Sequence, residues 1–331
     1  MEREACEAPQ AVERFLRTHR PVLRELGVRL RASPPPLALT SARGSSDHAA
    51  HYFKYLAEIL TGTPCCSLGA SVVSVYGSRL RVQGGLCLTV SQSGQSPDIV
   101  AVQAAARESG AYSVALVNDE ASPAARSADL CLPLLAGQER SVAATKSFLV
   151  SAAGAAAIIA HWTGDGPLLS ALERLPQALA RAADLLIPRL EDGLAGAASL
   201  YVVGRGPGLA MAAELALKLK ETCALHAEAY SLAEVMHGPL ELVGEGFPVL
   251  ALLPDDVALG NSMTSLARME AAGAQLLRLG LNGIPVPTAG HAFLDLLPMV
   301  LVGYLAIART AVRLGRDPDQ PRLLKKVTET L

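Results

Sequence analysis

The sequence predicts an α/β protein built from two successive parallel-sheet halves, and three observations carry that prediction. Short apolar runs alternate with longer helix-like stretches, the alternation restarts at Leu200, and the apolar content is mostly Ala, Leu and Val, with aromatics only 4%. Parallel strands buried on both faces by helices read in this way. At 331 residues and 50% hydrophobic content, the chain is long enough for two domains of ordinary size, each with its own core.

The elements follow in order. Residues 11–30 place Val12, Phe15, Leu16, Val22, Leu23, Leu26 and Val28 among Arg and Glu, which predicts an amphipathic leading helix ended by Pro34, Pro35 and Pro36. Apolar runs at 37–39, 86–90, 112–117 and 130–134 then read as strands separated by helices. Residues 167–190 read as a linking helix, runs at 200–203, 247–253 and 274–279 as a second set of strands, and 292–309 as an apolar core helix. The expected divisions are a leader over 1–32, a first domain over 33–165, a linker over 166–194, a second domain over 195–313 and a tail over 314–331. The openings of the two halves, residues 38–46 and 201–208, both run from an apolar strand through an Arg-Gly pair into a helix, which an internal duplication explains.

Composition removes several function classes. A formal charge of −2 and the lack of a long basic run leave nothing to grip a nucleic acid. Six cysteines without a CxxC pair fit a reducing compartment. The first ten residues lack an apolar signal core, and the apolar stretches at 148–162 and 292–308 have the length of buried helices, so the expectation is a cytoplasmic protein without a membrane partner.

The most informative local pattern is Leu88-Thr89-Val90 running into Ser91, Gln92, Ser93, Gly94, Gln95 and Ser96 and then into helical text. A hydroxyl-rich loop between a strand's carboxyl end and a helix's start presents free N–H groups and neutral donors to an anion, a phosphate site without a lysine. The plain alternative is a helix N-cap, which needs no ligand. Gly44, Ser45 and Ser46, after the first strand, add further donors; the matching place in the second half reads Pro254-Asp255-Asp256, whose charges would repel phosphate. One sugar-phosphate site per chain, in the first half, is therefore expected.

Other segments add specificity: Ala42-Arg-Gly-Ser-Ser, Ser141-Val-Ala-Ala-Thr-Lys-Ser-Phe, Glu214-Leu-Ala-Leu-Lys-Leu-Lys-Glu, His226-Ala-Glu-Ala-Tyr, His237-Gly-Pro-Leu and Asp319-Gln-Pro-Arg with Lys326 close behind. With the 91–96 loop and in this order, they resemble the double sugar-isomerase (SIS) domain part of glucosamine-6-phosphate synthase. The resemblance implies two SIS domains, each a five-stranded parallel sheet flanked by helices in a flavodoxin-like three-layer sandwich. It also implies that Ser46, Ser91, Gln92, Ser93 and Ser96 hold the phosphate of a hexose 6-phosphate, and that the backbone of Val142 contacts the sugar. Ser96 stands where the synthase has threonine, Ala144 where it has serine and Arg43 where it has cysteine. The synthase's N-terminal glutaminase domain is expected to be missing, which makes the chain more similar to standalone SIS-type glucosamine-6-phosphate deaminases.

By the same resemblance Glu221 moves the proton between C1 and C2, with Lys218 tuning it or helping to bind substrate. His237 opens the sugar ring and reaches a neighbouring subunit, implying a homodimer, and Lys326 forms a Schiff base with the open-chain carbonyl. Each residue has a plainer reading: Glu214, Lys218 and Glu221 as a surface ion-pair ladder, His237 as a turn residue beside Gly-Pro, and Lys326 as part of a solvated tail with Lys325 as its rival in register. The expected chemistry needs no metal and no cofactor. The expected activity is conversion of glucosamine 6-phosphate to fructose 6-phosphate and ammonia. The alternatives are a hexose-phosphate aldose-ketose isomerase, a fructosamine-phosphate deglycase and, from another class, a non-catalytic sugar-phosphate sensor.

Overall fold

The computed structural model describes residues 1–326, and within them the chain divides into two compact units. Among the described residues, one comprises 10–139, 146–173 and 326; the other comprises 1–9, 140–145 and 174–325.

In the first unit, the leading helix α2 (Ala8–Ala32, after a short α1, Glu2–Cys6) precedes β1 (Ala38–Ser41), α3 (Ser45–Thr61), β2 (Cys65–Ser67) and α4 (Ser71–Ser74). Then come β3 (Leu86–Ser91), α5 (Pro97–Glu108), β4 (Tyr112–Val117), α6 (Pro123–Ser127), β5 (Leu130–Pro133) and α7 (Lys146–Thr163). The five strands are all parallel in the order β2-β1-β3-β4-β5. β3 and β4 are buried almost throughout, which is why each reads as a mostly apolar run, with Thr89, Ser91 and Ser113 as buried polar members. Helix α7 carries apolar residues on every side, and all but two of its positions are buried. It packs against α3, and Gly27 of α2 approaches it so closely that a Cβ there would lie 2.2 Å from the His161 carbonyl oxygen. Arg31 donates to that oxygen and to the Trp162 oxygen at 3.2 Å, satisfying carbonyls at the helix end.

The second unit contains α8 (Gly166–Ala183) from residue 174 onward, α9 (Pro188–Ala195), β6 (Ser199–Gly204), α10 (Pro207–Lys218), β7 (His226–Ser231), β8 (Pro248–Leu253), α11 (Leu259–Ala271), β9 (Gln275–Gly280) and α12 (Ala292–Arg313). Its sheet is parallel in the order β7-β6-β8-β9. Here the expectation of five strands is corrected: the second sheet has four. After β9 the chain passes through Asn282, in the left-handed region at φ 57°, makes a single parallel bridge from Ile284 to Leu279, and runs through Pro285 and Pro287 to α12. Two prolines in so short a connection remove the N–H donors that a fifth strand would need.

Helix α12 is the one helix among the described residues long and apolar enough to cross a membrane by length and composition. It is buried from Leu294 to Ala308 and packs against α1, α9 and α10, as a core helix does. The strand-to-helix turns of the two units share a backbone conformation: Gly44 lies at φ 55°, ψ −133°, and Gly206 at φ 53°, ψ −127°, each preceded by an arginine. Both glycines occupy a region that side-chain-bearing residues rarely adopt, which accounts for the shared Arg-Gly text.

Candidate functional site

The strand order β2-β1-β3-β4-β5 reverses direction between β1 and β3, and ligands in open α/β sheets bind outside the carboxyl ends of the strands at such a switch point. Ser45 and Ser46 open the helix after β1, and residues 91–96 join the end of β3 to α5. The structure therefore puts the predicted phosphate residues at the two strand tips that flank the switch.

The 91–96 loop is built to hold its shape. The Ser91 hydroxyl, nearly buried, accepts from the Gly94 N–H at 3.0 Å, and the Ser93 hydroxyl accepts from the Gln95 N–H at 3.3 Å. Gly94 sits at φ 62°, and a Cβ there would come within 2.2 Å of the Ser122 hydroxyl oxygen. Ser122 in turn caps α6 by accepting from the Ala125 N–H, and the Ala124 N–H donates to the Gly94 carbonyl at 3.2 Å. The loop is thus clamped against the start of α6.

Ser96 occupies the N-cap of α5, yet its hydroxyl makes no capping hydrogen bond. The plain N-cap reading therefore leaves this hydroxyl unexplained. Gln92 reaches a cavity of about 490 Å³ that it shares with Arg14, Asn118, Leu135, Gly137, Gln138 and Glu139. Glu139 is fully buried, accepts from the Ser147 hydroxyl at 2.5 Å and N–H at 3.2 Å, and meets the Lys326 ammonium at 3.4 Å. Lys325 is exposed, so of the two rival lysines it is Lys326 that has a buried acidic partner.

The second unit carries the other candidates. Glu221 lies in a π-helical turn, Leu219–Cys223, that widens the end of α10 and is closed by Ala224 in the left-handed conformation at φ 49°. Turns of this type are frequent at functional sites. The Lys218 ammonium donates to Glu221 at 2.6 Å and lies 3.5 Å from Glu214, whose carboxylate accepts from the Tyr304 hydroxyl at 2.7 Å. Lys218 and Glu214 are at most 1% exposed, whereas the Glu221 side chain is 20% exposed. This is a buried network with one carboxylate opening outward, not the surface ladder that the spacing alone permits.

His237 is exposed at the end of a 3-10 turn, Glu234–His237, beside Gly238 at φ 143°. The Tyr201 hydroxyl donates to the Pro239 carbonyl at 2.9 Å and pins that turn to β6. His226 is exposed at the start of β7. Val142 is partly buried, and its N–H donates to the Asp319 carbonyl at 3.0 Å, while the Ser141 hydroxyl bonds the Asp319 side chain at 2.6 Å. At the tip of β8, Asp255 and Asp256 stand where the first sheet carries hydroxyls; burial pushes the Asp256 carboxyl above its ordinary range. Among the described residues no cluster of three or more His, Cys, Asp or Glu is arranged to hold a metal.

So the structure groups Ser45, Ser46, Ser91, Gln92, Ser93, Ser96 and Lys326 in one unit, and Val142, Lys218, Glu221 and His237 in the other. Sequence reasoning missed Asp98, Glu139, Tyr201 and Tyr304. Glu139 stands two residues before a motif that was read, and Asp98 is an acid in a helix's first turn, a weak signal. Tyr304 has none, because it lies 90 residues from the carboxylate it serves.

The sequence profile of the SIS domain matches residues 38–160 and 193–275. The chain belongs to the SIS domain family. Its fold agrees with a protein of Silicibacter pomeroyi, described as a phosphosugar isomerase, at 42% identity and a TM-score of 0.91, covering 96% of this chain and 99% of that one. The C-terminal domain of glucosamine-fructose-6-phosphate aminotransferase from Francisella tularensis is similar at 26% identity and a TM-score of 0.79, covering 96% of this chain and 97% of that one. A glutamine–fructose-6-phosphate aminotransferase (isomerizing) of Bradyrhizobium diazoefficiens is 32% identical over 309 residues, 86% of this chain and 50% of the relative. The chain spans about half the length of the curated relatives it matches.

Proposed function

We propose that this SIS protein is an amino-sugar phosphate deaminase, converting glucosamine 6-phosphate to fructose 6-phosphate and ammonia in the cytoplasm. The observation that carries the reading is Glu221: a carboxylate fixed from beneath by a buried lysine and left open on its other side. Shuttling a proton between adjacent sugar carbons needs one base of moderate strength that can face both. The relatives support the substrate class, since the names of those compared join a phosphosugar isomerase with aminotransferases of fructose 6-phosphate.

In this reading the 91–96 loop with Ser45 and Ser46 holds the phosphate, and the Val142 backbone contacts the sugar. His237 moves a proton onto the ring oxygen, a proton-shuttle role that imidazole commonly fills. Glu221 then transfers the C2 proton to C1, and the resulting imine is hydrolysed with release of ammonia. Lys326 exchanges with ammonia at the C2 imine to form a Schiff base, which water hydrolyses to the C2 ketone and free lysine; the shift of hydrogen from C2 to C1 reduces one carbon and oxidises the other, so no outside oxidant or reductant is needed. The exposed position of His237 suits service to a partner subunit's site, which makes a homodimer of paired SIS domains the working unit.

The test is direct. Incubation with glucosamine 6-phosphate should yield ammonia and fructose 6-phosphate in equal amounts, and Glu221→Gln should lower turnover about 10²–10⁴-fold while sugar-phosphate binding persists. Interconversion of ketose and aldose phosphates without ammonia would instead establish the plain isomerase that the Silicibacter relative's description favours. Binding without any turnover would leave a sensor.

A further inference from the structure

Beside the phosphate-binding loop lies a charge pair that the proposed reaction does not use. Asp98, in the first turn of α5, has a side chain only 1% exposed; one carboxylate oxygen accepts from the Ile99 N–H at 2.8 Å. The other receives the Arg43 Nε–H at 2.5 Å together with a second guanidinium nitrogen. Arg43 comes from the tip of β1, immediately before Gly44 and Ser45, and its side chain is half exposed. Asp98 follows Ser96, whose hydroxyl is unused at the helix cap, by two residues.

A buried carboxylate here competes with a phosphate dianion for the positive end of one helix. Unneutralised, it would oppose the ligand that the loop is shaped to take. Arg43 cancels that charge, and a guanidinium bonded to a nearly buried carboxylate is not an ordinary surface pair. Asp47, in the first turn of α3, also interacts electrostatically with Arg43, and burial raises its carboxyl above the ordinary range. The counterpart arginine in the second unit, Arg205, donates instead to the Ser231 hydroxyl at 3.0 Å. The carboxylate pairing is therefore a feature of the phosphate-binding half.

We infer that Arg43 is a positioning residue for phosphate: by neutralising the buried Asp98 carboxylate, it lets the 91–96 loop accept a phosphate dianion. This rests on the reading of residues 91–96 as the phosphate cradle. The probe is inorganic phosphate, titrated at constant ionic strength and followed through the rise in melting temperature that ligand binding produces. Arg43→Ala should weaken phosphate binding about tenfold or more, the size of one unscreened charge close to the ligand.

The double variant Arg43→Ala/Asp98→Asn, which removes both charges, should return to within about threefold of the wild type. Arg43→Lys, which keeps the charge, should remain close to the wild type. Failure of the double variant to regain affinity, or an unchanged affinity in Arg43→Ala, overturns the inference. If Arg43→Ala does not fold, the double variant decides alone, because it contains no uncompensated buried charge. A wild-type protein that takes up no phosphate overturns the cradle itself, so the two failures are distinct.

Discussion

Lys218→Met is the perturbation that tests the network beneath Glu221 most severely. Lys218 is 1% exposed and holds two carboxylates, Glu221 at 2.6 Å and the fully buried Glu214 at 3.5 Å. Methionine fills similar space but removes the cation that lies 3.5 Å from Glu214, while the Tyr304 hydroxyl still donates to that carboxylate. Breaking a buried pair in this way costs about 3–5 kcal/mol. At about 2–4 °C per kcal/mol for a unit of this size, the melting temperature should fall by about 6–20 °C. Calorimetric or fluorescence melts measure it directly. Adding Glu214→Gln to Lys218→Met should recover most of the loss, because glutamine keeps an acceptor for Tyr304 without a charge to bury. A single variant that melts within about 2 °C of the wild type would show that the pair is not energetically buried, and the account of how Glu221 is held would fail with it.

Four further outcomes are expected. Gly94→Ala forces a Cβ onto the Ser122 hydroxyl at a left-handed backbone position, so it should weaken competitive inhibition by inorganic phosphate and cost about 1–3 kcal/mol of stability, checked by inhibition assays and melts. Borohydride reduction in the presence of fructose 6-phosphate should label Lys326 and not Lys325, read by peptide mass spectrometry; Glu139→Gln should lower the yield without weakening phosphate binding. If His237 serves the partner's site, mixing inactive Glu221→Gln and His237→Ala proteins under subunit exchange should restore activity in hybrids that contain one intact site, whereas no recovery would place both residues on one subunit's site. Burial pushes the Cys65 and Cys87 thiols up to about 12, so at pH 8 only about one in 10⁴ of either is thiolate. A thiol reagent should therefore modify the exposed Cys6 and Cys66 first and reach Cys65 and Cys87 only on unfolding, as timed labelling would show.

The central strands were legible because they are buried on both faces. Leu86–Ser91 and Tyr112–Val117 read as mostly apolar text for that reason. Two of the edge strands were not: Cys65–Ser67 is three residues long with two of them exposed, and His226–Ser231 begins at an exposed histidine. Neither contains a run that periodicity can detect. The absent fifth strand of the second sheet was hidden in the same way, since prolines 285 and 287 could have marked a turn between strands as easily as the end of the sheet.

At the candidate site the division is similar. Hydroxyls after a strand and a Glu-Lys-Glu spacing are local facts, and the sequence by itself determined only that a hydroxyl-rich strand-to-helix loop and one helical face carrying Glu214, Lys218 and Glu221 were present. Only the tertiary structure decided that the first lies at a switch point, that the Ser96 hydroxyl is not spent on its own helix, and that Lys218 is buried rather than solvated. The physical reason is that burial and hydrogen-bond pairing depend on partners distant in the chain. Tyr304 lies 90 residues from Glu214, and Asp98 lies 55 from Arg43, and no local spacing rule reaches either.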